Sequence, residues 1–220
     1  MFDYAAARKN MVEGQLMPSG VLRSDLLARF LSIPREAFVP ANLRGHACAD
    51  SVVSLEDVGF LLPPALHARL IEAAGVTASD RVLEVGAATG YGAAILSGLA
   101  GRVTALAREL QGLETARVLW ESLGCKNVTA AVGPLTEGWE PQAPYSLIVL
   151  NGAVHEVPER LVGQLERGGR LVGVIRATEN DSGCAVVIRR GADGAWSRRE
   201  MFDATCPWLP GFEPPRIFRL

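Results

Sequence analysis

The segment RVLEVGAATGYGAAIL, residues 81–96, restricts what this chain can fold into more than any other feature. Its first five residues form a short, mostly apolar run, which is typical of a strand buried in a parallel sheet. Gly86 and Gly90 then allow a tight turn and a close approach of the backbone to a ligand. Small and apolar residues continue as a helix, whose free N–H groups face the space above the strand end. The segment therefore predicts a strand, a ligand-binding turn and a helix.

From Asp80 onwards, strand-like and helix-like segments alternate, as in a doubly wound sheet. Extended runs on either side of Gly191–Gly194 predict a C-terminal β-hairpin at the sheet edge. The predicted fold class is α/β, with a doubly wound, mostly parallel seven-stranded sheet of the Rossmann-like kind. Predicted strands lie near 81–86, 102–106, 127–132, 145–150, 169–175, 184–190 and 196–202, and predicted helices near 91–99, 109–123 and 157–166.

The first 78 residues predict a helical elaboration in front of this sheet. Helical patterns cover residues 3–16, 22–31 and 63–74, whereas residues 48–60 predict a loop with short extended pieces. The tail from 207 to 220 is rich in proline and aromatic residues and is expected to pack as coil on the core. At 220 residues, we expect a single domain over 1–220, with the Rossmann-like core at 79–220.

Composition excludes several classes of function. The net charge of −2 argues against a nucleic-acid-binding surface, because phosphate binding needs a basic excess. No segment is apolar for long enough to span a membrane, and residues 1–15 do not have the pattern of a signal peptide. The four cysteines are scattered without a Cys-x-x-Cys pair, and the three histidines lack ligand spacing. We therefore expect no metal site, reduced thiols, a cytoplasmic location, and neither a nucleic-acid nor a membrane partner.

The predicted sheet places four segments around one crevice. Ligands of such sheets bind beyond the carboxyl ends of the strands, where the order of the strands reverses. The segments that follow the predicted strands are 86–91, 107–109, 133–135 and 151–155. We therefore expect a small-molecule site formed by these segments.

The spacing of the turn distinguishes two classes of ligand. A dinucleotide-binding turn has Gly-x-Gly-x-x-Gly and an acid further along, and the run from Gly86 lacks that spacing. The run Leu83-Glu84-Val85-Gly86-x-x-x-Gly90-Tyr91 instead resembles the first motif of methyltransferases that use S-adenosyl-L-methionine (SAM). In that class the glycine turn passes beside the methionine part of SAM. A nicotinamide-dependent oxidoreductase is the weaker alternative.

The whole chain resembles the protein-L-isoaspartate O-methyltransferases, especially a divergent bacterial branch. The resemblance implies the class I SAM methyltransferase fold and transfer of a methyl group from SAM to the free carboxylate of an isoaspartyl residue in damaged protein. It implies neither a metal nor a covalent intermediate. The matching runs are Arg8-x-Asn10-Met11-Val12-x-x-Gln15-Leu16, Ile33-Pro34-Arg35-Glu36-x-Phe38-Val39-Pro40, Pro64-x-x-x-Ala68-Arg69-Leu70, the SAM turn, Gly138-Trp139, Ala143-Pro144-Tyr145, Val157-Pro158-Glu159 and Leu165-x-x-Gly168-Gly169-Arg170-Leu171-Val172.

Three positions depart from the family pattern. The family has an acid for the ribose hydroxyls of SAM where this chain has Ala107, and Glu109 is a candidate substitute two residues on. It has an acid for the adenine region where this chain has Pro134. It has a serine of the reaction site where this chain has Leu62, whose side chain cannot donate a hydrogen bond to a carboxylate. These departures bear on SAM affinity and on the choice of substrate.

The resemblance implies a set of site residues but leaves the catalytic residue unknown. Asn151 is the candidate catalytic residue, because methyltransferases often have a substrate-facing polar group at the end of the fourth strand. The open alternative is that Asn151 only caps the turn before Gly152. Glu84 is expected to orient the turn, to be a buried structural acid, or both, and Tyr91 to line the methionine pocket or to pack at the helix start. The predicted SAM-binding residues are Glu84, Gly86, Ala88, Gly90, Tyr91, Ala107, Glu109, Gly133, Pro134 and Asn151.

The sequence thus leaves competing hypotheses of function. The first is a SAM-dependent methyltransferase of the isoaspartyl type, acting on a protein or peptide that bears isoaspartate or, with an altered pocket, on an unidentified small substrate. The second is a non-catalytic SAM-binding or scaffold protein on a methyltransferase fold, which the three departures favour. The oligomeric state does not follow from the sequence.

Overall fold

A seven-stranded sheet organises the protein, whose computed structural model describes residues 2–179 and 181–215. The strands are β3 (Arg81–Val85), β4 (Arg102–Ala107), β5 (Val128–Val132), β6 (Tyr145–Val154), β7 (Leu165–Ile175), β8 (Gly183–Arg190) and β9 (Trp196–Ala204). Their order is β5-β4-β3-β6-β7-β8-β9; the first five are parallel to one another, and the β7–β8 and β8–β9 pairs are antiparallel. This confirms the predicted fold class and the C-terminal hairpin.

Helices cover both faces of the parallel part of the sheet, which is why its strands are apolar on both sides. On β3, Val82 belongs to the core that contains residues of α3 and α4, whereas Leu83 and Val85 belong to the core on the other face. The alternation of side chains along a strand places Glu84 on the α4 face. The helices are α1 (Tyr4–Met11), α2 (Ser24–Ser32), α3 (Pro64–Ala74), α4 (Tyr91–Ser97), α5 (Leu110–Ser122) and α6 (Glu159–Gly163), and α1 continues as a π-helical turn over Val12–Leu16.

The order of the strands reverses beside β3. The chain runs from β3 outwards through β4 and β5, and then returns to place β6 against the other edge of β3. The crevice between the carboxyl ends of β3 and β6 is therefore the place where a sheet of this topology binds ligands.

The N-terminal region packs on the α4 side of the sheet and forms the predicted helices. Phe30 of α2 and Ile95 of α4 lie in one core, and the Arg29 guanidinium donates a hydrogen bond of 2.6 Å to the Ala94 carbonyl oxygen. The predicted extended pieces form a hairpin of β1 (Val53–Ser54) and β2 (Phe60–Leu61).

The element boundaries around β6 and β7 differ most from the sequence prediction. The helix expected over 157–166 ends at Gly163, because Leu165 is buried and pairs with Tyr145 as the first residue of β7. The strand expected to end at 150 continues to Val154, because Ala153 pairs with Val174 of β7 beyond a bulge. Asn151 consequently lies inside β6 and does not end it.

The C-terminal segment from 207 to 215 runs along the end of β6. The Ala153 amide donates to the Pro207 carbonyl oxygen, and the Leu209 amide donates back to the Ala153 carbonyl oxygen, each at 2.8 Å. The buried Leu209 side chain thereby reaches the crevice beside β3. The segment packs as coil on the core, as predicted for this part of the tail, and residues 216–220 of that prediction lie outside the described residues.

No helix among residues 2–179 and 181–215 is long and apolar enough to cross a membrane. In the same residues no group of three or more His, Cys, Asp or Glu side chains is arranged to hold a metal ion.

Candidate active site

The turn after β3 adopts a backbone that small residues make accessible. Gly86, Ala88 and Gly90 have φ values of +85°, +47° and +80°. At Ala88 this left-handed conformation is uncommon for a residue with a Cβ and is typical of functional turns. A Cβ on Gly90 would lie 2.5 Å from Cζ2 of Trp120, whose indole N–H donates to the Gly90 carbonyl oxygen at 2.9 Å. The turn is thus held against α5 from behind.

In front of this turn lies a cavity of about 180 Å³, which we call the main cavity. One wall comes from the ends of the parallel strands, one from the segment between β1 and β2, and one from the C-terminal segment. The cavity is lined by Glu56, Asp57, Val58, Gly59, Phe60, Gly86, Ala88, Ala107, Arg108, Leu135, Asn151, Leu209 and Pro210.

The main cavity unites four of the predicted SAM-binding residues: Gly86, Ala88, Ala107 and Asn151. Gly86 and Ala88 follow β3, Ala107 ends β4 and Asn151 lies within β6, and these three strands are neighbours in the sheet. The strand order and the bulge in β6 together account for their convergence.

All four predicted segments contribute to the main-cavity lining, as expected for one crevice, but several of the predicted SAM-binding residues lie outside it. Gly133 and Pro134 line a separate depression beside Trp139, because the buried side chain of Leu135 occupies the main-cavity wall next to them. Glu109 is half-exposed and pairs with Arg108 at 3.3 Å outside the lining.

Tyr91 is also absent from the main-cavity lining, and its ring is fully buried among aromatic side chains. The ring lies edge-on to Phe38, with centroids 5.5 Å apart, and the Arg35 guanidinium carbon lies 4.8 Å from the ring centroid. The structure thus shows Tyr91 packing at the start of α4, the second of its two predicted roles, and not lining the main cavity.

Glu84 is a buried carboxylate directly beneath the turn. It is fully buried, and the Asn151 amide donates a hydrogen bond of 2.5 Å to its Oε1. Burial raises the pKa of Glu84 to about 7, although hydrogen bonds from Asn151 and from the Ala93 amide oppose the shift. A Cβ on Gly92 would collide with the carboxylate, so the helix approaches this closely only with glycine there. Glu84 thus links β3, β6 and the first turn of α4.

Arg35 is a site-supporting residue whose role the sequence reasoning missed. Its guanidinium is fully buried and donates hydrogen bonds of 2.6 Å to the carbonyl oxygens of Ala47 and Leu62. It thereby fixes the backbone at the position where the family has its serine. Arg35 belongs to the family motif Ile33–Pro40, which could have drawn attention to it. The local sequence, however, does not indicate which side chain of this motif is buried.

Leu62 lies under the main cavity, where its side chain is 3% exposed. With Phe60, His67 and Asn151 it lines a cleft of only about 10 Å³, roughly the space of one water molecule. Burial, with a smaller contribution from Arg35, lowers the pKa of His67 to about 3, so the imidazole is neutral at physiological pH. The side chains that line this cleft are therefore apolar or neutral, although the buried Arg35 guanidinium donates to the Leu62 carbonyl oxygen.

One residue of the main cavity has a polar atom that fits SAM. The cavity wall beside it depends on Gly86, because a Cβ there would collide with the Leu209 side chain. Asn151 lines the cavity, and its buried Oδ1 has no hydrogen-bond partner among the described residues. A buried acceptor without a donor suits a ligand that carries an ammonium group, as the methionine part of SAM does.

Comparisons with known proteins agree with this geometry. The family model "Protein-L-isoaspartate(D-aspartate) O-methyltransferase (PCMT)" matches residues 7–205. Protein-L-isoaspartate O-methyltransferases of Pelotomaculum thermopropionicum and Koribacter versatilis are each 34% identical to the chain. The first alignment covers 90% of this chain and 85% of the relative, and the second covers 97% and 96%.

A solved structure named protein-L-isoaspartate O-methyltransferase matches with a TM-score of 0.80 and 27% identity, over 94% of this chain and 67% of that one. A candidate enzyme of the same name from Plasmodium falciparum, in complex with S-adenosyl-L-homocysteine, shares the fold with a TM-score of 0.74 at 16% identity, over 94% and 98% of the chains. The fold is that of a SAM-dependent methyltransferase. The chain belongs to the protein-L-isoaspartate O-methyltransferase family, as its sequence motifs predicted.

Replacing Gly86 with valine should abolish SAM binding. The new side chain would collide with Leu209 and fill the space between backbone and ligand, at a φ of +85° that valine adopts only under strain. Titration calorimetry with SAM measures the effect, and circular dichroism checks the fold. The control is Gly163→Val, because a Cβ there meets no atom within 4 Å. Equal affinity of Gly86→Val and the parent protein would refute the assigned site.

Replacing Glu84 with glutamine should change how stability depends on pH. The folded-state pKa of about 7 lies above the ordinary glutamate pKa of 4.5, so between these values the native state holds a proton that the unfolded chain has released. The parent protein therefore loses stability as pH rises from about 4.5 to 7, and does not regain it above 7. Glutamine removes this loss, so the stability of Glu84→Gln relative to the parent should rise by about 1–3 kcal/mol from pH 4.5 to pH 8.

Denaturant unfolding of the ligand-free protein at a series of pH values measures this difference. Glu114→Gln, at an exposed position on α5, is the matched control and should run parallel to the parent. A constant difference between Glu84→Gln and the parent from pH 4.5 to 8 would show that Glu84 ionises normally.

Proposed function

We propose that the protein transfers the methyl group of SAM to a carboxylate oxygen of an isoaspartyl-type substrate held in an altered acceptor pocket. The observation that carries this proposal is the main cavity, which opens where the strand order reverses and gathers Gly86, Ala88 and Asn151 around one space. Membership of the family supplies the class of reaction. The names of the relatives supply the class of substrate.

Methyl transfer from SAM requires mainly that the protein align the reacting atoms. SAM supplies a sulfonium methyl group that is already activated, so the residues need to bring carboxylate oxygen, methyl carbon and sulfur into line. We propose that Asn151 makes a polar contact with the methionine end of SAM, and that its hydrogen bond to Glu84 orients its amide for this contact. Phe60 and Leu62 would exclude water on the acceptor side. No proton has to be transferred when an ionised carboxylate is the acceptor.

The partners we propose are a protein or peptide that bears isoaspartate or, given Leu62, an unidentified small substrate that is less polar at its reacting end. The net charge of −2 supports a partner other than nucleic acid. The four cysteines of the chain are free thiols, which supports a reducing, cytoplasmic location.

A second candidate function is a non-catalytic protein that binds SAM. The burial of Leu62 in a cleft of water size favours it, because a carboxylate would meet hydrocarbon there. Methyl transfer decides between the two.

Weak or absent methylation of standard isoaspartyl peptides is the expected result for the parent protein. An apolar side chain at 62 cannot solvate a carboxylate, so Leu62→Ser should gain turnover with such a peptide. A radiolabelled methyl-transfer assay measures both proteins. Leu62→Ala is the matched control, because it adds the same space without a hydroxyl group.

Robust turnover by the parent protein would contradict the role given to Leu62. Activity in Leu62→Ser and not in Leu62→Ala would assign the gain to the hydroxyl group. Inactivity of all three proteins, with SAM bound, would favour the non-catalytic function, and Ala107 and Pro134 would then be the more serious departures.

A further inference from the structure

The main cavity contains acidic residues that were not among the SAM-binding residues predicted from the sequence. Its β4 wall ends in Ala107, whose methyl group cannot accept a hydrogen bond, and the neighbouring Arg108 pairs with Glu109. Of the thirteen lining residues only Glu56 and Asp57 carry a carboxylate. Both come from the segment between β1 and β2, so the cavity has its acids on the wall opposite to the strand ends.

The segment that carries these acids is held close to the glycine turn. The Leu55 amide donates to the Gly59 carbonyl oxygen at 2.8 Å and closes the turn between the two strands. A Cβ on Gly59 would lie 3.7 Å from that of Ala88, so this turn lies directly over the SAM turn. Glu56 has a φ of +53°, a left-handed conformation that glycine adopts more readily.

The same cavity has a second polar feature that indicates a ligand, the side-chain oxygen of Asn151. Asn151 is 8% exposed and lines the cavity together with Glu56 and Asp57. Its Oδ1 is buried and has no hydrogen-bond partner within the part of the chain that the structure describes. Buried polar atoms are nearly always satisfied, so an unsatisfied one at a cavity points to a bound molecule with a donor group.

We propose that Glu56 and Asp57 recognise the ribose of SAM by accepting hydrogen bonds from its two hydroxyl groups. This inference rests on the proposed function, because it assumes that SAM occupies the main cavity. Adjacent hydroxyl groups are donors, and ionised carboxylates are the strongest acceptors that a protein offers. Carboxylates from the β1–β2 turn thus take over the contact that Ala107 cannot make. The glycine turn and Asn151 remain for the methionine end.

The test compares two ligands on three proteins by titration calorimetry. The ligands are S-adenosyl-L-homocysteine and its 2′,3′-dideoxyribose analogue, and the proteins are the parent, the double variant Glu56→Gly/Asp57→Ala, and Glu114→Ala as an exposed control. Glycine keeps the left-handed backbone at 56 while it removes the carboxylate. The double variant should bind S-adenosyl-L-homocysteine about 100-fold more weakly than the parent or weaker still, as expected for the loss of two charged hydrogen bonds. The dideoxy analogue should bind the parent and the double variant equally weakly.

Thermal unfolding separates recognition from a structural role. The double variant should melt at the same temperature as the parent protein or higher, since glycine relieves the left-handed backbone at 56 and Asp57 is exposed, so weaker binding would not reflect a damaged fold. Equal affinity of the parent and the double variant for S-adenosyl-L-homocysteine would overturn the ribose assignment while leaving the proposed function intact. An equal loss for both ligands would also overturn it. A parent protein that binds neither ligand would instead refute the proposed function itself.

Discussion

The hydrogen bond between Asn151 and Glu84 crosses the point where the order of the strands reverses, and the rest of the site depends on it. It joins β6 to β3 beneath the SAM turn and buries a carboxylate against the first turn of α4. An unpaired carboxylate in this position would be strongly destabilising, so the strands, the turn and the helix are held in one arrangement. Gly86 and Gly92 permit this arrangement, because a Cβ would collide with Leu209 at the first position and with the Glu84 carboxylate at the second.

Segments far apart in the chain complete the walls around this centre. Arg35 ties the N-terminal region to the Leu62 carbonyl oxygen, and Leu209 is carried into the crevice by backbone pairing of the C-terminal segment with Ala153. The backbone at Leu62 is therefore fixed by a buried guanidinium. These walls come from segments outside the sheet, whereas the place of the SAM turn depends on the sheet itself.

Local patterns in the sequence were sufficient for the sheet and the turn. A short apolar run followed by Gly86 and Gly90 specifies strand, turn and helix within sixteen residues, and the alternation beyond it specifies a parallel sheet. The positions of Glu56, Pro134 and Leu209 could not be predicted in this way, because each depends on contacts between distant segments. Asn151 was selected correctly as a crevice residue, but its place inside β6 follows from a bulge that sequence periodicity does not reveal.

Calorimetric titration of the unmodified protein with SAM and, separately, with NAD tests whether the crevice beside β3 is a SAM site, since both ligands suit a crevice at a reversal of strand order. We expect saturable binding of SAM with one site per chain and no heat of binding from NAD, because the spacing from Gly86 to Gly90 and the wall formed by Ala107 do not provide a dinucleotide turn. Binding of NAD without binding of SAM would contradict it.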